Sequence, residues 1–427
     1  MGSSNSREKE VDVASSRSLF RHFDFLKLWS AETFSVFGVQ FSGLAIPWIA
    51  AKTLNASSFE MGVLGALSTV PFLIFGLFVG VWADRSRRRP IMIMSDILRA
   101  MSLAAIPLSV ILGGPSIILL YLVSFSVGTL TVFDDVSSYA YLPSLVDQDQ
   151  LVEENSRMET SRASAQVAGP SIAGILIQIL SAPITILVDV VGYFGSASFL
   201  SWIKKEESLL KRREDASVVK DLKEGLAVVF KNRYLWSIAG STGTANFFSS
   251  AIGALFILFV TKDLGLSSVE LGFVFTLGSV GALVGALVAN RIAKRLGLGR
   301  TIVISIFVGG TSWMAVYFAN PSLRIPLLVL ATFLGSIGSV IYNVNQVSFR
   351  QAIVPIELQG RLNATMRFLV WGTIPVGSII GGVLGGVLGL RTAIGISAVG
   401  GALAFLWVLL SPVRRITEIP KQNDRRT

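Results

Sequence analysis

Gly80-Val-Trp-Ala-Asp84-Arg85-Ser-Arg87-Arg88-Arg89 is a charged hairpin between two long apolar runs. It nearly recurs 206 residues later as Ala286-Leu-Val-Ala-Asn290-Arg291-Ile-Ala-Lys294-Arg295. Two such turns at half-chain spacing, each flanked by segments of membrane length, describe a chain built from two related helical bundles. Duplicated membrane proteins of this kind are most often transporters. The fold read from this pair is all-α and integral to the membrane, with twelve transmembrane helices in two pseudo-symmetric bundles of six.

Composition agrees. Of 427 residues, 52% are hydrophobic and only 15% charged, and the mean hydropathy is +0.65. That is too little polar side chain to cover a soluble core. A helix needs about 20 apolar residues to cross the hydrocarbon, which leaves room for roughly a dozen. The chain has no cysteine, so disulfides, thiolate metal sites and cysteine nucleophiles are excluded, and its one histidine, His22, excludes His-pair zinc motifs. There is no GxxxxGK(S/T) loop and no GxSxG elbow. Neither an enzyme nor a metal or cofactor is expected, and the driving force is expected to be an ion gradient, of protons first. The net charge of +10 is spread over alternate short connections rather than one basic face, which argues against a nucleic-acid partner. The first apolar stretch is too long for a cleavable signal. Met1-Gly2-Ser-Ser-Asn-Ser6 fits a myristoylation pattern formally but reads as a polar disordered start.

Apolar runs predict helices near 25–51, 59–83, 90–112, 116–140, 157–180 and 182–203. They resume near 234–260, 268–290, 300–318, 325–349, 362–388 and 391–411. The connections at 84–90, 141–156, 204–233, 291–300 and 350–361 then share one side with both tails. That side holds almost all the loop Lys and Arg, while the other shows little beyond Lys52, Lys262, Arg324 and Arg391. The positive-inside rule places both termini in the cytoplasm of a multi-pass plasma-membrane protein. The expected organisation is a cytoplasmic tail (1–24), a six-helix bundle (25–203), a linker (204–233), a second bundle (234–411) and a tail (412–427). Val218, Val219, Leu222, Leu226, Val229 and Phe230 fall at helical spacing among charges, so the linker should carry an amphipathic helix.

Further internal matches support duplication. Ser57-Ser58-Phe-Glu60-Met-Gly62 corresponds to Ser267-Ser268-Val-Glu270-Leu-Gly272 at an offset of 210. Asn155-x-x-Met158 corresponds to Asn363-x-x-Met366 at 208, a register that lays Asp134-Asp135 over Tyr342-Asn343.

With these residues in hand, nearly the whole chain resembles the major facilitator superfamily, most of all its bacterial efflux branch of macrolide exporters and the enterobactin exporter. The family's loop signature Gly-x-x-x-Asp-Arg-x-Gly-Arg-Arg is matched by Gly80, Asp84, Arg85, Arg88 and Arg89, with Arg87 in place of the second glycine. Ala165-x-x-x-Gly169-Pro170-x-x-Ala173-Gly174 is similar to the antiporter motif of proton-coupled exporters, with Ala at two glycine positions. Phe23 to Trp29, Asp96-x-x-Arg99 and the helix of Asp189 also look like this branch. The fourth helix departs from it, carrying Asp134 and Asp135 where many drug–proton antiporters carry a base. The resemblance implies that Asp84 meets the start of the eleventh helix near Arg361 and locks an outward-open state.

Physical chemistry singles out further residues. A carboxylate such as Asp84 at a helix end is favoured by roughly 0.3–1 kcal/mol when it faces another helix's N-terminus, although a solvated topogenic cluster also explains Arg85 to Arg89. An acid near the centre of a membrane helix costs roughly 2.5–3.5 kcal/mol, so Asp134 and Asp135 are candidates for carrying the coupling proton. Adjacent positions lie about 100° apart on a helix, so the two cannot face one direction equally. The competing reading puts both near the headgroups. Glu32, with Gln40 two turns on, offers a proton or cation site, or snorkels to the interface beside Lys27. Asp189 reads as a helix-packing group. Asp96 and Arg99, like Glu159 and Arg162, are spaced to satisfy each other.

In the second half, Asn246, Tyr342, Asn343, Asn345, Gln346 and Trp371 are candidates for the substrate cavity, with Arg367 four residues before Trp371 on one face. Acids on one wall with amides and aromatics on the other suit a small amphiphilic substrate, cationic ones included; helix-packing hydrogen bonds explain the amides equally. Glycine-rich runs such as Gly377 to Gly386 let helices approach closely and slide. The leading function is export by alternating access in exchange for protons, by a monomer in the lipid bilayer. Uptake or lysolipid flipping by the same fold remains an alternative, and a non-transporting membrane sensor is a third.

Overall fold

The computed structural model describes residues 23–83, 86–145, 151–205, 207 and 218–418. Sixteen α-helices and no strand are found among them. They are α1 (Phe23–Trp48), α2 (Ser58–Ala83), α3 (Arg88–Ile111), α4 (Ile117–Leu145), α5 (Leu151–Leu180), α6 (Ala182–Ser201), α7 (Val218–Lys231) and α8 (Arg233–Lys262). There follow α9 (Ser268–Leu296), α10 (Leu298–Ser312), α11 (Met314–Phe318), α12 (Arg324–Ile353), α13 (Ile356–Trp371), α14 (Thr373–Leu388), α15 (Leu390–Leu403) and α16 (Phe405–Leu409). These build twelve stretches long and apolar enough to cross a membrane. Breaks at Trp313, Gly372 and Ala404 divide three of them.

The duplicated sequence builds duplicated caps. Ser57 N donates to Glu60 Oε2 at 2.7 Å and Glu60 N to Ser57 Oγ at 3.2 Å. Ser267 N donates to Glu270 Oε2 at 2.8 Å and Glu270 N to Ser267 Oγ at 3.3 Å. Each reciprocal pair satisfies two orphan donors at the start of the equivalent helices α2 and α9.

The charged turns depart from expectation in length. A connection is expected at 291–300, yet α9 continues to Leu296 and only Gly297, at φ 84°, separates it from α10. Arg291, Ala293, Lys294, Arg295 and Leu296 are all good helix formers, and cations in the last turn suit the helix dipole. Likewise α12 runs to Ile353 and stops before Pro355.

The two halves meet along two glycine crossings. A Cβ at Gly62 of α2 would lie 2.6 Å from Ser378 O and 3.0 Å from Gly382 Cα of α14. A Cβ at Gly272 of α9 would lie 2.5 Å from Pro170 O of α5. No other residue allows these backbone approaches. Ser268 Oγ donates to Gly174 O at 2.9 Å, and Ser279 Oγ to Gln166 O at 2.7 Å. At the same end Lys52 Nζ reaches Thr261 O at 3.3 Å, and its counterpart Lys262 reaches Ala56 O at 3.0 Å. This end lies opposite the one that carries Phe23 and Arg415, called here the terminal face.

On the terminal face, α7 docks on α13. Gly225 lies against Thr365 and Arg361, and Glu224 pairs with Arg361 at 2.5 Å. Val229 is buried beneath it, while Phe230 faces outward against Trp236. The amphipathic helix expected in the linker is therefore a packed element.

Candidate functional site

The first half holds a buried charge cluster at the meeting of α1, α3, α4, α5 and α6. Arg99 of α3 is 1% exposed. Its Nη2 reaches Asp96 Oδ1 at 2.6 Å and Asp134 Oδ2 of α4 at 2.7 Å. Its guanidinium lies 4.4 Å from the ring centroid of Tyr193 on α6, a cation–π contact. Ser196 Oγ donates to the other Asp96 oxygen at 2.6 Å. The i,i+3 pair read from sequence is thus one arm of a charge triad on α3 and α4, braced by Tyr193 and Ser196 of α6. Asp134 is absorbed by it, and burial of these ions is compensated by pairing and hydrogen bonds.

Asp135 points elsewhere, as the 100° rotation requires. It lines a hollow of about 120 Å³ with Phe72 and Val132 on one side and Arg367, Phe368 and Trp371 of α13 on the other. Arg367 stacks on Trp371 at 4.4 Å and makes no ion pair among the described residues. Asp135 and Arg367 thus line one hollow from opposite halves. Glu32 is buried rather than snorkelled. The Ser138 hydroxyl donates to its Oε1, and Arg162 stands 4.0 Å from Oε2. Lys27 pairs instead with Asp24 at 2.7 Å. Arg162 also meets Glu159 at 3.0 Å, as expected, and donates to the Tyr139 hydroxyl at 2.5 Å. Asp189 is fully buried, packed on Gly38; neither oxygen has a partner of regular hydrogen-bond geometry, and Ser42 is its polar neighbour.

Two further cavities adjoin this region. One, about 200 Å³, lies within the second half and is lined by Asn246, Trp313, Tyr342, Asn343, Trp371 and Ser397. The other, about 660 Å³, lies between the halves and is lined by Gln40, Gln166, Ser249, Trp313 and Ser339. They share Ser249, Trp313, Gly335 and Ser339. Asn246 Nδ2 donates to Val370 O at 2.8 Å, satisfying a carbonyl at the Gly372 break. The Tyr342 hydroxyl is 2.6 Å from Thr242 Oγ1.

Gln346 is buried and donates to Asn343 Oδ1 at 3.1 Å, leaving its own Oε1 unpartnered. Asn345 is not in this hollow. It donates to Ile341 O of its own helix at 2.8 Å and lines a cleft on the terminal face. Gly169 lies against Gln40, while Pro170 and Gly174 form the seam with α9. The antiporter-like stretch thus shapes the junction of the halves.

In the 80–89 motif, Gly80 lies in α2, and Asp84 and Arg85 fall outside the described residues. Arg88 is held by Glu207 of the linker and Arg89 by the end of α6. Arg88 N donates to Glu207 Oε2 at 2.7 Å, Arg88 Nη1 lies 3.3 Å from Oε1, and Arg89 Nε donates to Leu200 O at 2.8 Å. Sequence reasoning missed the pairing of Arg99 with Asp134 and the placing of Arg367 and Asp135 on one hollow. An intramembrane guanidinium with five donors needs more acceptors than one carboxylate supplies, and that was the available signal for the first.

Comparison with known proteins agrees with the architecture. The profile of the transmembrane secretion effector family matches residues 14–426. Multidrug efflux pump Tap of Mycolicibacterium fortuitum is 26% identical over 380 residues, covering 87% of this chain and 90% of its own. Macrolide efflux protein A of Streptococcus pyogenes is 23% identical over 359 residues, covering 83% and 88%. The crystal structure of a bacterial homologue of the iron transporter ferroportin, in an inward-facing state, superposes with a TM-score of 0.72 at 16% identity, covering 91% and 98%. The chain is therefore a multi-pass membrane transporter, not an enzyme, and it belongs to the transmembrane secretion effector family of the major facilitator superfamily.

Proposed function

We propose that this protein exports amphiphilic small molecules across the plasma membrane in exchange for protons, by alternating access. The halves 25–203 and 234–411 rock about the hollow between them, the linker 204–233 joins them, and the terminal face is cytoplasmic. The glycine crossings at Gly62–Gly382 and Gly272–Gly174 are then the closed outer gate of an inward-facing state. Substrate enters the hollow from the cytoplasm, meets Trp313 and passes to the adjoining cavity of Tyr342 and Trp371, and these aromatic faces suit a bulky apolar body and a cationic head. Relatives named for multidrug and macrolide efflux support both the direction and the class.

The observation that carries the coupling is the division of labour between the two adjacent acids. Asp134 is ion-paired with Arg99, whereas Asp135 has no ion pair among the described residues and lines the small hollow of Trp371, which Arg367 of the opposite half also lines. When Asp135 is charged, Arg367 attracts it and favours closure of the cytoplasmic side. When it is protonated, that attraction ends and the halves separate there. Glu32, buried beside Ser138 and Arg162, is the second proton candidate.

Everted membrane vesicles expressing the chain test this reading. An acid-inside gradient should drive accumulation of a lipophilic cationic dye or a macrolide, and collapsing the gradient should abolish it. Accumulation only with the gradient reversed would identify an importer. Transport indifferent to pH would remove protons from the mechanism.

A further inference from the structure

The duplicated charged turns have unequal surroundings, and the inequality exposes a site. At the offset of 206, Arg88 and Arg89 correspond to Lys294 and Arg295. The first pair is sealed by Glu207 and by carbonyls of α6. The second pair has no ion pair among the described residues and borders an open cleft of 1290 Å³.

Three more cations, Arg300, Arg414 and Arg415, line the same cleft, against one acid, Glu418. All five basic residues are exposed, and none of the other three has an ion pair among the described residues either. The rim is built, not incidental. Leu298 N donates to Thr417 O at 3.1 Å and Gly299 N to Ile416 O at 2.8 Å. These bonds pin the segment after α16 over the start of α10, and Gly299 is required because a Cβ there would strike Val413 O. Arg414 and Arg415 are thereby held beside the α9–α10 turn. Below the cations the wall is apolar, with Leu296, Ile304 and Val344 each 43–47% exposed.

We propose that this cleft binds an anionic glycerophospholipid of the leaflet on the terminal face. The lipid phosphate sits among Lys294, Arg295, Arg300, Arg414 and Arg415, and its acyl chains run along Leu296, Ile304 and Val344. A cationic rim over an apolar wall at a helix-bundle edge matches a lipid with both a charge and a tail, and basic pockets between membrane helices bind such headgroups. A soluble phosphate fits only the rim and leaves the wall uncovered.

Delipidated full-length protein in detergent, titrated with phosphatidylglycerol or phosphatidylcholine and read by native mass spectrometry, tests the assignment. Phosphatidylglycerol should remain bound where phosphatidylcholine is lost. The R414Q/R415Q variant should bind it about 30-fold more weakly, from roughly fivefold per arginine near a charged lipid. R291Q, at the same helix end but outside the cleft lining, should bind within about twofold of the parent. If R414Q/R415Q unfolds at a lower temperature than the parent without lipid, K294Q/R295Q replaces it with the same expectation. Equal retention of phosphatidylcholine, or undiminished binding by both double variants, overturns the proposal. So does displacement of the lipid by an equal concentration of glycerol 3-phosphate, which would mark a free-anion site instead.

Discussion

Replacing Arg99 with methionine should destabilise the first half more than any other single charge removal there. Arg99 serves two carboxylates, at 2.6 Å and 2.7 Å, in a region where it is 1% exposed. Two unit charges about 4 Å apart attract by about 4 kcal/mol at an effective dielectric near 20. Burying each ion offsets several kcal/mol of that attraction, so the triad as a whole contributes little net stability. Removing only the cation is different, because Asp96 and Asp134 then face each other uncompensated. Breaking a buried pair in this way costs about 3–5 kcal/mol. At roughly 3 °C per kcal/mol for a bundle of this size, the unfolding midpoint falls by about 10 °C. The assay is thermal unfolding in detergent, run as a cycle with D96N/D134N and with R99M/D96N/D134N. The triple variant, uncharged and close in shape, should recover at least about 2 kcal/mol over R99M. A loss below about 1 kcal/mol for R99M, or a triple variant no more stable than R99M, would refute the triad as the anchor of α3, α4 and α6.

Three other outcomes follow from the geometry. The absence of cysteine lets a single S249C reporter in the cavity between the halves be probed by a membrane-impermeant thiol reagent. Adding G272L, whose side chain collides with Pro170 O, should raise labelling from the outer side, and unchanged labelling would mean the seam is no gate. E207Q should weaken the cap of α3, where Arg88 N donates at 2.7 Å. The cost is about 1 kcal/mol, seen as a midpoint lowered by about 3 °C; no shift would show that the linker does not hold this turn. W371A should raise the KM for aromatic cationic substrates about fivefold, from the loss of roughly 1 kcal/mol of cation–π and stacking contact. A change in maximal rate alone would place Trp371 outside the substrate path.

Much of this architecture is legible in the chain because membranes impose simple rules. Span length, the bias of Lys and Arg, and repeated Ser-x-x-Glu caps each report on local backbone needs, so Ser57–Glu60 and Ser267–Glu270 announce equivalent helix starts. The charge cluster was legible as a set of residues but not as a set of partners. Which carboxylate Arg99 adopts depends on how α3 and α4 rotate against each other, a property of packing that spacing along one helix does not encode. The same holds for Asn345, whose neighbours Tyr342 and Asn343 line a cavity while it turns to its own helix. The extent of α9 escapes the sequence for a different reason. Charged residues suggest a loop, whereas Arg and Lys propagate a helix well once they reach the interface.

Substrate-induced proton release from purified protein tests the coupling claim most directly. In weakly buffered detergent solution, adding a transported macrolide or cationic dye to the parent chain should release protons, and D135N should bind the same substrate with no release. D134N, altering an acid already engaged by Arg99, should still release them. Equal proton release from D135N and the parent would contradict the assignment of Asp135 as the group through which substrate and proton compete.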